Sequence, residues 1–208
     1  MVRVDVAPGA VWLKGYLSAD EQALLASEAL ALLNAPVGGY VPTVRGGGKM
    51  RVRMLSLGRH WNPLTYRYET TRADHDGAPA PAVPADWAHA AGTMAAAAGF
   101  ADYTPDICLI NWYGSDGRMG LHQDKDESRD TLERGAPVVS VSLGDMARFL
   151  FGGHRRREPV ESYWLESGDV FVFGGPARLR YHGVARTAPV LESPVAGGGR
   201  INLTFRTF

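Results

Sequence analysis

The sequence predicts an α+β domain that is mainly β, with N-terminal helices followed by a double-stranded β-helix, the jelly-roll barrel. Two observations support this fold class. The second half of the chain divides into short apolar segments separated by turns, as all-β barrels do. The first half carries two helical patterns with a stretch rich in Gly and Pro between them. A chain of 208 residues with 45% hydrophobic content is long enough for one domain with a sizeable core.

Helices are predicted at two places in the first half. Ser18-Ala-Asp-Glu21 has the spacing of a capping box and begins a helix that continues to about Leu33. A second helix is expected from about Pro84 to Ala98, where a glycine follows. Residues 35–83 lie between them and are expected to contain short extended pieces.

Short strands are predicted from Asp106 to the end of the chain. Eight of them suit a double-stranded β-helix, a cupin-like barrel whose mouth binds ligands. The segment 128–135 between the second and third of these strands is expected to be a loop. The predicted strands span residues 106–113, 118–122, 137–143, 148–152, 161–166, 169–173, 179–184 and 200–207.

The first candidate site lies at the second predicted strand. His122 and Asp124 are separated by one residue, and residues i and i+2 of an extended segment point to the same side. His182 is the candidate for a third ligand. Two imidazoles and one carboxylate on one face of an octahedron form the arrangement of non-haem iron(II) oxygenases. An isolated H-x-D pair also occurs by chance in surface loops, so this site needs further evidence.

That evidence comes from the C-terminal segment, which alternates strictly between polar and apolar residues. A solvated polar face is the simpler interpretation for an isolated strand. Two arginines with an amide and a hydroxyl between them also make a site for a dicarboxylate such as 2-oxoglutarate, because guanidinium binds carboxylate through two parallel hydrogen bonds. Together with the H-x-D pair, the pattern favours this site. The strand places Ile201, Leu203 and Phe205 on one face and Arg200, Asn202, Thr204 and Arg206 on the other.

Charge is unevenly distributed, although the formal net charge is zero. No acidic residue occurs between Glu28 and Glu69. This stretch has a positive field suited to a phosphate backbone, and its aromatic side chains are of the kind on which bases stack. A solvated basic surface is the alternative. The basic residues of the stretch are Arg45, Lys49, Arg51, Arg53, Arg59 and Arg67, and the aromatic ones Tyr40, Trp61, Tyr66 and Tyr68.

Cysteine usage and hydropathy indicate the compartment. The single cysteine, Cys108, excludes an internal disulfide framework and a thiolate cluster built by this chain alone. The N-terminal residues lack the apolar region of a signal peptide, and no stretch approaches the length of a membrane span. We therefore expect a cytoplasmic protein with no membrane partner.

The second half also contains a recognisable set of short motifs. They are Asn111-x-Tyr113, Leu121-His-Gln-Asp-Lys-Asp-Glu127, Val139-Ser-Val-Ser-Leu-Gly144, Phe151-Gly-Gly153, Gly168-Asp-Val170, Tyr181-His-Gly183 and Arg200-x-Asn-Leu-Thr-Phe-Arg206. In these motifs the chain resembles the AlkB family of Fe(II)- and 2-oxoglutarate-dependent dioxygenases, specifically its bacterial branch that repairs alkylated DNA. The similarity extends from about Val11 to the end of the chain and is most specific in the C-terminal half.

The resemblance implies a single dioxygenase domain over residues 1–208. Its N-terminal helices and nucleotide-recognition lid would occupy about residues 1–104, and its catalytic jelly-roll core about residues 105–208. Arg206 matches the arginine that pairs with the distal carboxylate of 2-oxoglutarate, and Arg200 matches one near the metal-binding end. The resemblance assigns the iron to His122, Asp124 and His182, and the lining of the cosubstrate pocket to Asn111, Tyr113, Asn202 and Thr204.

On the substrate side, Asp126 matches the acidic residue that reads the exocyclic amine of the damaged base, and Arg156 matches a substrate-side arginine. In the lid, the matched residues are a methionine, a stacking tryptophan and a pair of tyrosines near the DNA phosphate. These are Met54, Trp61, and Tyr66 with Tyr68, respectively.

The implied reaction is oxidative demethylation of N-alkylated bases such as 1-methyladenine and 3-methylcytosine. It uses Fe(II), O2 and 2-oxoglutarate and releases formaldehyde, succinate and CO2. The implied partner is single- or double-stranded DNA, with RNA as a further candidate, and the expected state is a monomer. Because a duplex hides the alkylated positions, the enzyme must take single strands or flip the base out.

Two other classes stay open. One is a 2-oxoglutarate oxygenase that acts on RNA, protein or a small metabolite; a metabolite enzyme has no use for the acid-free basic and aromatic stretch. The other is a catalytically silent, cupin-like binding module, which is expected to have lost a metal ligand or an arginine.

Overall fold

A computed structural model describes residues 1–208 and confirms the mainly-β jelly-roll fold. Its helices are α1 (Ala19–Asn34), α2 (Ala85–Ala97) and α3 (Arg129–Arg134). Its strands are β1 (Val2–Ala7), β2 (Ala10–Lys14), β3 (Arg53–Leu57), β4 (His60–Asn62), β5 (Arg67–Glu69), β6 (Ile107–Tyr113), β7 (Met119–His122), β8 (Val138–Gly144), β9 (Met146–Phe151), β10 (Glu161–Leu165), β11 (Val170–Phe173), β12 (His182–Ala188) and β13 (Arg200–Arg206).

Two antiparallel sheets form the barrel. The larger has seven strands in the order β1-β2-β11-β8-β13-β6-β3, and the smaller has four in the order β10-β9-β12-β7. The eight barrel strands predicted from the sequence are β6 to β13, and each sheet contains four of them. The largest difference is at β12, which begins at His182 rather than at residue 179.

The first half of the chain adds strands to this barrel. Of these, β3 lies where the sequence predicted short extended pieces, whereas β1 and β2 were not predicted. β2 pairs with β11 and β1 pairs with β2, which extends one edge of the larger sheet. β3 pairs with β6 and extends the other edge. Strand formation here depends on partners far along the chain, and local patterns do not report such partners. β4 and β5 form a separate hairpin, which we call the lid hairpin.

Helices α1 and α2 cover the face of the larger sheet that points away from the smaller one. The predicted capping box is present, with Ser18 and Glu21 each bonded to the other's backbone N–H. The Trp87 indole N–H of α2 donates to Glu28 of α1 at 2.7 Å, which joins the two helices. Their buried side chains pack against the apolar face of β13, formed by Ile201, Leu203 and Phe205.

A second core fills the space between the sheets. It is rich in aromatic side chains, and Phe149 of β9 lies 4.9 Å from Phe171 of β11 between ring centroids. Aromatic pairs with tilted geometry at this distance add stability beyond their burial. Some of its members, such as Phe149 and Phe173, also line a cavity together with polar side chains.

The segment expected to be a loop, 128–135, contains α3. Ser128 caps its first turn and Gly135 ends it with a left-handed conformation at φ 65°. Arg129 pairs with Glu133 and Arg134 with Asp130 one turn apart on its surface. The cap, the glycine and the charge spacing are all visible in the sequence, so this helix could have been predicted. No helix of the protein combines the length and apolar character needed to cross a membrane.

Candidate active site at the mouth of the barrel

The open end of the barrel holds a cavity of about 510 Å³ between the two sheets. Every site residue predicted from the sequence lines it, except Tyr68. A cavity of this size is typical of small-molecule sites, which use a few convergent polar groups on an otherwise apolar wall.

The three candidate metal ligands meet on one side of this cavity. Across the ladder between β7 and β12, His122 is the register partner of His182, and Asp124 follows β7 in the chain. The Asp124 carboxylate lies 3.6 Å from His122 Nε2 and 3.5 Å from His182 Nε2. One ligating atom from each residue lies within 4.8 Å of the other two. Gly183 keeps β12 this close to β7, because a Cβ there would lie 2.7 Å from the Met119 carbonyl oxygen.

Both imidazoles present the same nitrogen to the common point. His122 Nδ1 lies 2.9 Å from the Gly120 carbonyl oxygen, and His182 Nδ1 lies 3.1 Å from that of Arg180. Since a carbonyl only accepts, Nδ1 carries the proton in both rings and Nε2 offers a lone pair. Desolvation in the pocket, with a smaller contribution from His182, lowers the pKa of His122 to about 4. Neutral imidazoles with their second nitrogen held by a carbonyl are the form that binds metals.

Asp124 completes the set as a buried carboxylate. Burial by itself raises the pKa of its carboxyl, but Arg206 and the two imidazoles outweigh burial and hold that pKa well below its usual value. Its Oδ2 lies 2.7 Å from Arg206 Nη2, in a geometry that is an ion pair rather than a hydrogen bond. The three residues therefore offer two imidazole nitrogens and one carboxylate oxygen, the donor set of a facial triad.

The polar face of β13 lines the cavity beside the triad, and all seven residues of the strand are buried. The interpretation as a solvated polar face is therefore wrong. Arg200 forms no ion pair in the protein, and its Nε and Nη1 have no hydrogen-bond partner. Burial lowers the pKa of Arg200 to about 10, which still leaves the side chain a cation at neutral pH. A buried cation without a counter-ion is costly, and an anion that enters the cavity would remove that cost.

Arg206 lies at the metal end of the cavity. Besides Asp124, it contacts the Tyr68 hydroxyl at 2.5 Å and Glu127 at 3.5 Å. The resemblance assigns Arg206 to the distal carboxylate and Arg200 to the metal end; these assignments stay predictions, although the structure places Arg206 beside Asp124. The alternation of β13 shows that both arginines share a face, but not which end of the strand faces the metal ligands.

The lid hairpin covers the mouth of the cavity. Trp61 on β4 lines the cavity and donates its indole N–H to Asp126 Oδ2 at 2.8 Å. Tyr66 lies at the hairpin turn and is 44% exposed. Tyr68 is 7% exposed and reaches inward to Arg206. The expected contact of Tyr68 with a DNA phosphate stays a prediction, and in the structure its hydroxyl accepts a hydrogen bond from Arg206 instead.

Met54 and Arg156 line the cavity from opposite sides. Met54 on β3 is buried, and Arg156 donates to the Leu121 carbonyl oxygen at 2.8 Å.

Two buried charged residues beside the site were not identified from the sequence. Arg178 and Glu127 are buried, pair at 3.1 Å and connect to Asp124 and Arg206. Burial of opposite charges far apart in sequence leaves no local signal.

The acid-free stretch contributes less free positive charge than its composition indicates. Arg53 donates to the carbonyl oxygens of Leu33 and Gly39 and so closes the C-terminal end of α1. Arg51 pairs with Asp116 at 3.0 Å, and Arg59 lies over the ring of Phe208. The remaining exposed cations of the stretch are Arg45, Lys49 and Arg67.

Comparison with known proteins identifies the family. Residues 9–206 match the profile described as the 2OG-Fe(II) oxygenase superfamily. An Arabidopsis thaliana protein named DNA N(6)-methyladenine demethylase ALKBH1C is 40% identical over 98% of this chain and 49% of its own length. The AlkB dioxygenase of Salmonella typhimurium is 39% identical over 97% of this chain and 91% of its own length. The chain thus spans about half the length of the plant relative and most of the bacterial one.

Solved structures support the same assignment. The structure of OsALKBH1 is 37% identical, with a TM-score of 0.91 and full coverage of both chains. A 2OG-Fe(II) oxygenase from Burkholderia pseudomallei is 16% identical with a TM-score of 0.56, so it supports the fold alone. The chain therefore belongs to the 2OG-Fe(II) oxygenase superfamily and, within it, to the AlkB family that its sequence motifs resemble.

Proposed function

We propose that this protein oxidatively demethylates N-alkylated nucleobases in DNA, with 1-methyladenine and 3-methylcytosine as substrates. The reaction would use Fe(II), O2 and 2-oxoglutarate and release formaldehyde, succinate and CO2. One observation carries the proposal above the others. The His-Asp-His cluster shares one cavity with two buried arginines on one side and with Trp61 and Asp126 on the other. This arrangement supports a metal site, a dicarboxylate site and a base-binding site that share one cavity.

The metal would be held by His122, Asp124 and His182. Their fit is supported by the free Nε2 lone pairs of both histidines and by an Asp124 oxygen without a hydrogen-bond donor. When bound, Fe(II) supplies the oxidation of the methyl carbon, with O2 and 2-oxoglutarate as co-reactants. The chain's own contribution is to hold the three ligands on one side and leave the other positions open to the cavity.

The cosubstrate would bind along the polar face of β13. We propose that Arg200 holds the distal carboxylate, because its buried donors have no partner in the chain. Arg206 would hold the end nearer the metal, where it already contacts Asp124. The remaining wall would be formed by Asn111, Tyr113, Asn202 and Thr204, of which Asn111 Oδ1 is buried without a donor.

The damaged base would enter under the lid hairpin. Trp61 offers an aromatic face for stacking, Met54 an apolar contact and Asp126 a hydrogen-bond acceptor. Arg156 and Tyr66 lie at the rim and would face the flanking strand. A base paired in a duplex cannot reach a metal inside the barrel, so the enzyme must flip it out or take single strands.

A second candidate is removal of the methyl group of N6-methyladenine. The specific observation in its favour is that the Arabidopsis thaliana relatives ALKBH1C and ALKBH1D, 40% and 38% identical, are named DNA N(6)-methyladenine demethylases. A mouse relative, 34% identical over 67% of this chain, is named a nucleic acid dioxygenase, which keeps RNA as a substrate. A silent binding module is disfavoured because the three ligand residues and both arginines are present.

We further propose that residues 1–208 form one domain that acts as a cytoplasmic monomer. The cavity draws its lining from both halves of the chain, which supports a single domain. This supports a catalytic unit in which about residues 1–104 supply helices and the lid, and about residues 105–208 supply the metal and cosubstrate sites.

The proposal is tested by incubating the protein with Fe(II), ascorbate, 2-oxoglutarate and methylated oligonucleotides. DNA and RNA strands, single and paired, would carry 1-methyladenine, 3-methylcytosine or N6-methyladenine, and mass spectrometry would follow the methyl group and succinate. Loss of the methyl group from the first two bases with matching succinate supports the proposal. His182→Ala should abolish it, and His89→Ala, which alters an exposed histidine of α2 outside the cavity lining, should not. Demethylation of N6-methyladenine alone, or of no nucleic acid, would overturn it.

A further inference from the structure

The contact between Trp61 and Asp126 joins two residues that stacking and amine recognition would use separately. The indole N–H donates to Asp126 Oδ2 at 2.8 Å, across 65 positions of sequence. Trp61 belongs to the lid hairpin, whereas Asp126 follows β7 in a segment without regular structure. The lid and the metal-side loop are therefore connected at the place where a base would bind.

Asp126 has few other restraints. It forms no ion pair, and the indole N–H is the only hydrogen bond that its carboxylate receives from the chain. Its backbone is outside the strand, so sheet geometry does not fix the direction of the side chain. By contrast, Trp61 is fixed in β4, which pairs with β5, and its backbone N–H also donates to Ser56 at 3.3 Å. Trp61, which is held in the hairpin, therefore orients the less restrained side chain of Asp126.

We propose that Trp61 is a positioning residue for base specificity, in addition to any stacking role, and that it acts by orienting the Asp126 carboxylate. This inference rests on the proposed function. With Oδ2 held by the indole, the plane of the carboxylate is set and Oδ1 is free to accept from an amino group. A carboxylate only accepts hydrogen bonds, so it favours a base edge with an exocyclic amine and repels one with a carbonyl oxygen.

The chemical consequence is a selection between closely matched lesions. 3-Methylcytosine and 3-methyluracil carry the methyl group on the same ring nitrogen and differ at C4, which bears an amine in the first and an oxygen in the second. An oriented Asp126 accepts from the amine of the first and meets the oxygen of the second. If the carboxylate rotates freely, it can turn away from that oxygen, and the selection weakens.

The test uses Trp61→Phe, which keeps an aromatic face but removes the N–H. The ratio of kcat/KM for oligonucleotides with 3-methylcytosine and 3-methyluracil should fall about tenfold, on the order of one good hydrogen bond. Trp164→Phe is the matched control, because Trp164 is an exposed tryptophan of β10 whose indole N–H bonds to no residue. Its ratio should equal that of the wild type.

A double-mutant cycle separates positioning from a general structural effect. If Trp61 acts through Asp126, then Trp61→Phe should not change the ratio further in an Asp126→Ala background. Equal, additive losses in the two backgrounds would overturn the inference. An unchanged ratio in Trp61→Phe would also overturn it, even if KM changed equally for both lesions. Such a result would mean that the indole affects access to the pocket and not the choice between the lesions.

Equilibrium binding of the same oligonucleotides, measured without turnover, distinguishes the inference from the proposed function. A wild type that prefers 3-methylcytosine in binding but does not demethylate it would refute the function, and the binding ratios of the variants would still decide the inference. A wild type without any binding preference would overturn the inference itself.

Discussion

At the scale of single residues, several buried polar atoms of this site have no hydrogen-bond partner in the protein. Arg200 keeps two buried donors without acceptors, and Asn111 keeps a buried oxygen without a donor. Each buried polar group left without a partner costs about 1–3 kcal/mol of stability, and more if it is charged. A ligand carboxylate would accept hydrogen bonds from the two Arg200 donors and remove their share of this cost, whereas the Asn111 oxygen needs a donor. The unpaired atoms therefore indicate where a ligand binds and which charge it carries.

For the metal site, we predict that Asp124→Ala abolishes binding of a divalent metal. The change removes the one charged oxygen of the donor set and leaves two neutral imidazoles. Titration with Mn(II) followed by calorimetry measures the loss, and circular dichroism checks that the barrel stays folded. Asp126→Ala is the matched control and should keep its affinity for the metal. Wild-type affinity in Asp124→Ala would show that another residue supplies the oxygen.

For the cosubstrate, we predict that Arg200→Lys raises the KM for 2-oxoglutarate about tenfold, the loss expected for one charge-assisted contact. Metal affinity should not change, because Arg200 contacts none of the three ligands. Arg206→Lys should weaken both, since Arg206 pairs with Asp124. If only Arg206→Lys raised the KM, Arg206 would hold the distal carboxylate of 2-oxoglutarate, as the sequence resemblance implies.

At the scale of elements, local sequence patterns predicted those helices and strands that have a characteristic pattern of their own. The capping box placed α1, and strict alternation placed β13 and its two faces. The same alternation did not give the direction of β13 relative to the metal ligands, because that depends on β7 and β12. Nor did it show that Tyr68 turns inward, since this follows from the pairing of the short β5 with β4. Local patterns therefore predicted α1 and β13, but the direction of β13 and the orientation of Tyr68 depend on how distant segments pack.

The lid hairpin is held by a buried polar cluster of Tyr40, His60 and Asp74. The Asp74 carboxylate lies 2.5 Å from both the Tyr40 hydroxyl and His60 Nε2, and the His60 and Asp74 side chains are 2% and 3% exposed. It therefore joins three separate segments, and one of them is the start of β4. Because both contacts converge on a single carboxylate, its removal leaves the Tyr40 hydroxyl and His60 Nε2 with only the longer contact between them, at 3.3 Å.

We predict that Asp74→Ala destabilises the lid hairpin by about 1–3 kcal/mol, because Tyr40 and His60 both lose the carboxylate that they contact at 2.5 Å. Hydrogen exchange of the β4 and β5 amides should become faster, while exchange in β8 and β13 stays slow. Binding of methylated oligonucleotides should weaken and metal affinity should not. Asp116→Ala is the control, because it breaks an exposed pair with Arg51. Exchange that accelerates across the whole barrel would mean that the cluster supports the fold rather than the lid.

At the scale of the whole molecule, contacts between distant segments determine what the sequence could not reveal. β2 completes one edge of the larger sheet through β11, and β3 completes the other through β6. The buried charges behave in the same way. Glu127 lies between Arg178 and Arg206 at 3.1 and 3.5 Å, and Arg178 also donates to the backbone carbonyls of Ala136 and Asp124. This network connects the loop after β7, the start of β8 and the end of β13.

The network makes a prediction about the stability of the entire protein. Glu127→Gln keeps the shape of the side chain but leaves two buried guanidinium groups with less negative charge. Breaking a buried pair in this way costs about 3–5 kcal/mol. For a domain of this size each kcal/mol lowers Tm by roughly 2–4 °C, so the midpoint should fall by about 10 °C. Thermal and urea unfolding measure both quantities.

The control for this prediction is Glu133→Gln on α3, six residues further along the same segment. Glu133 also pairs with an arginine, at 2.6 Å, but its side chain is 62% exposed. Solvent screens such a pair, so the loss should be about 0.5 kcal/mol or less and should diminish with added salt. The loss in Glu127→Gln should be largely independent of salt. Equal small effects in the two variants would mean that water reaches Glu127 and that the connection between the sheets does not depend on its charge.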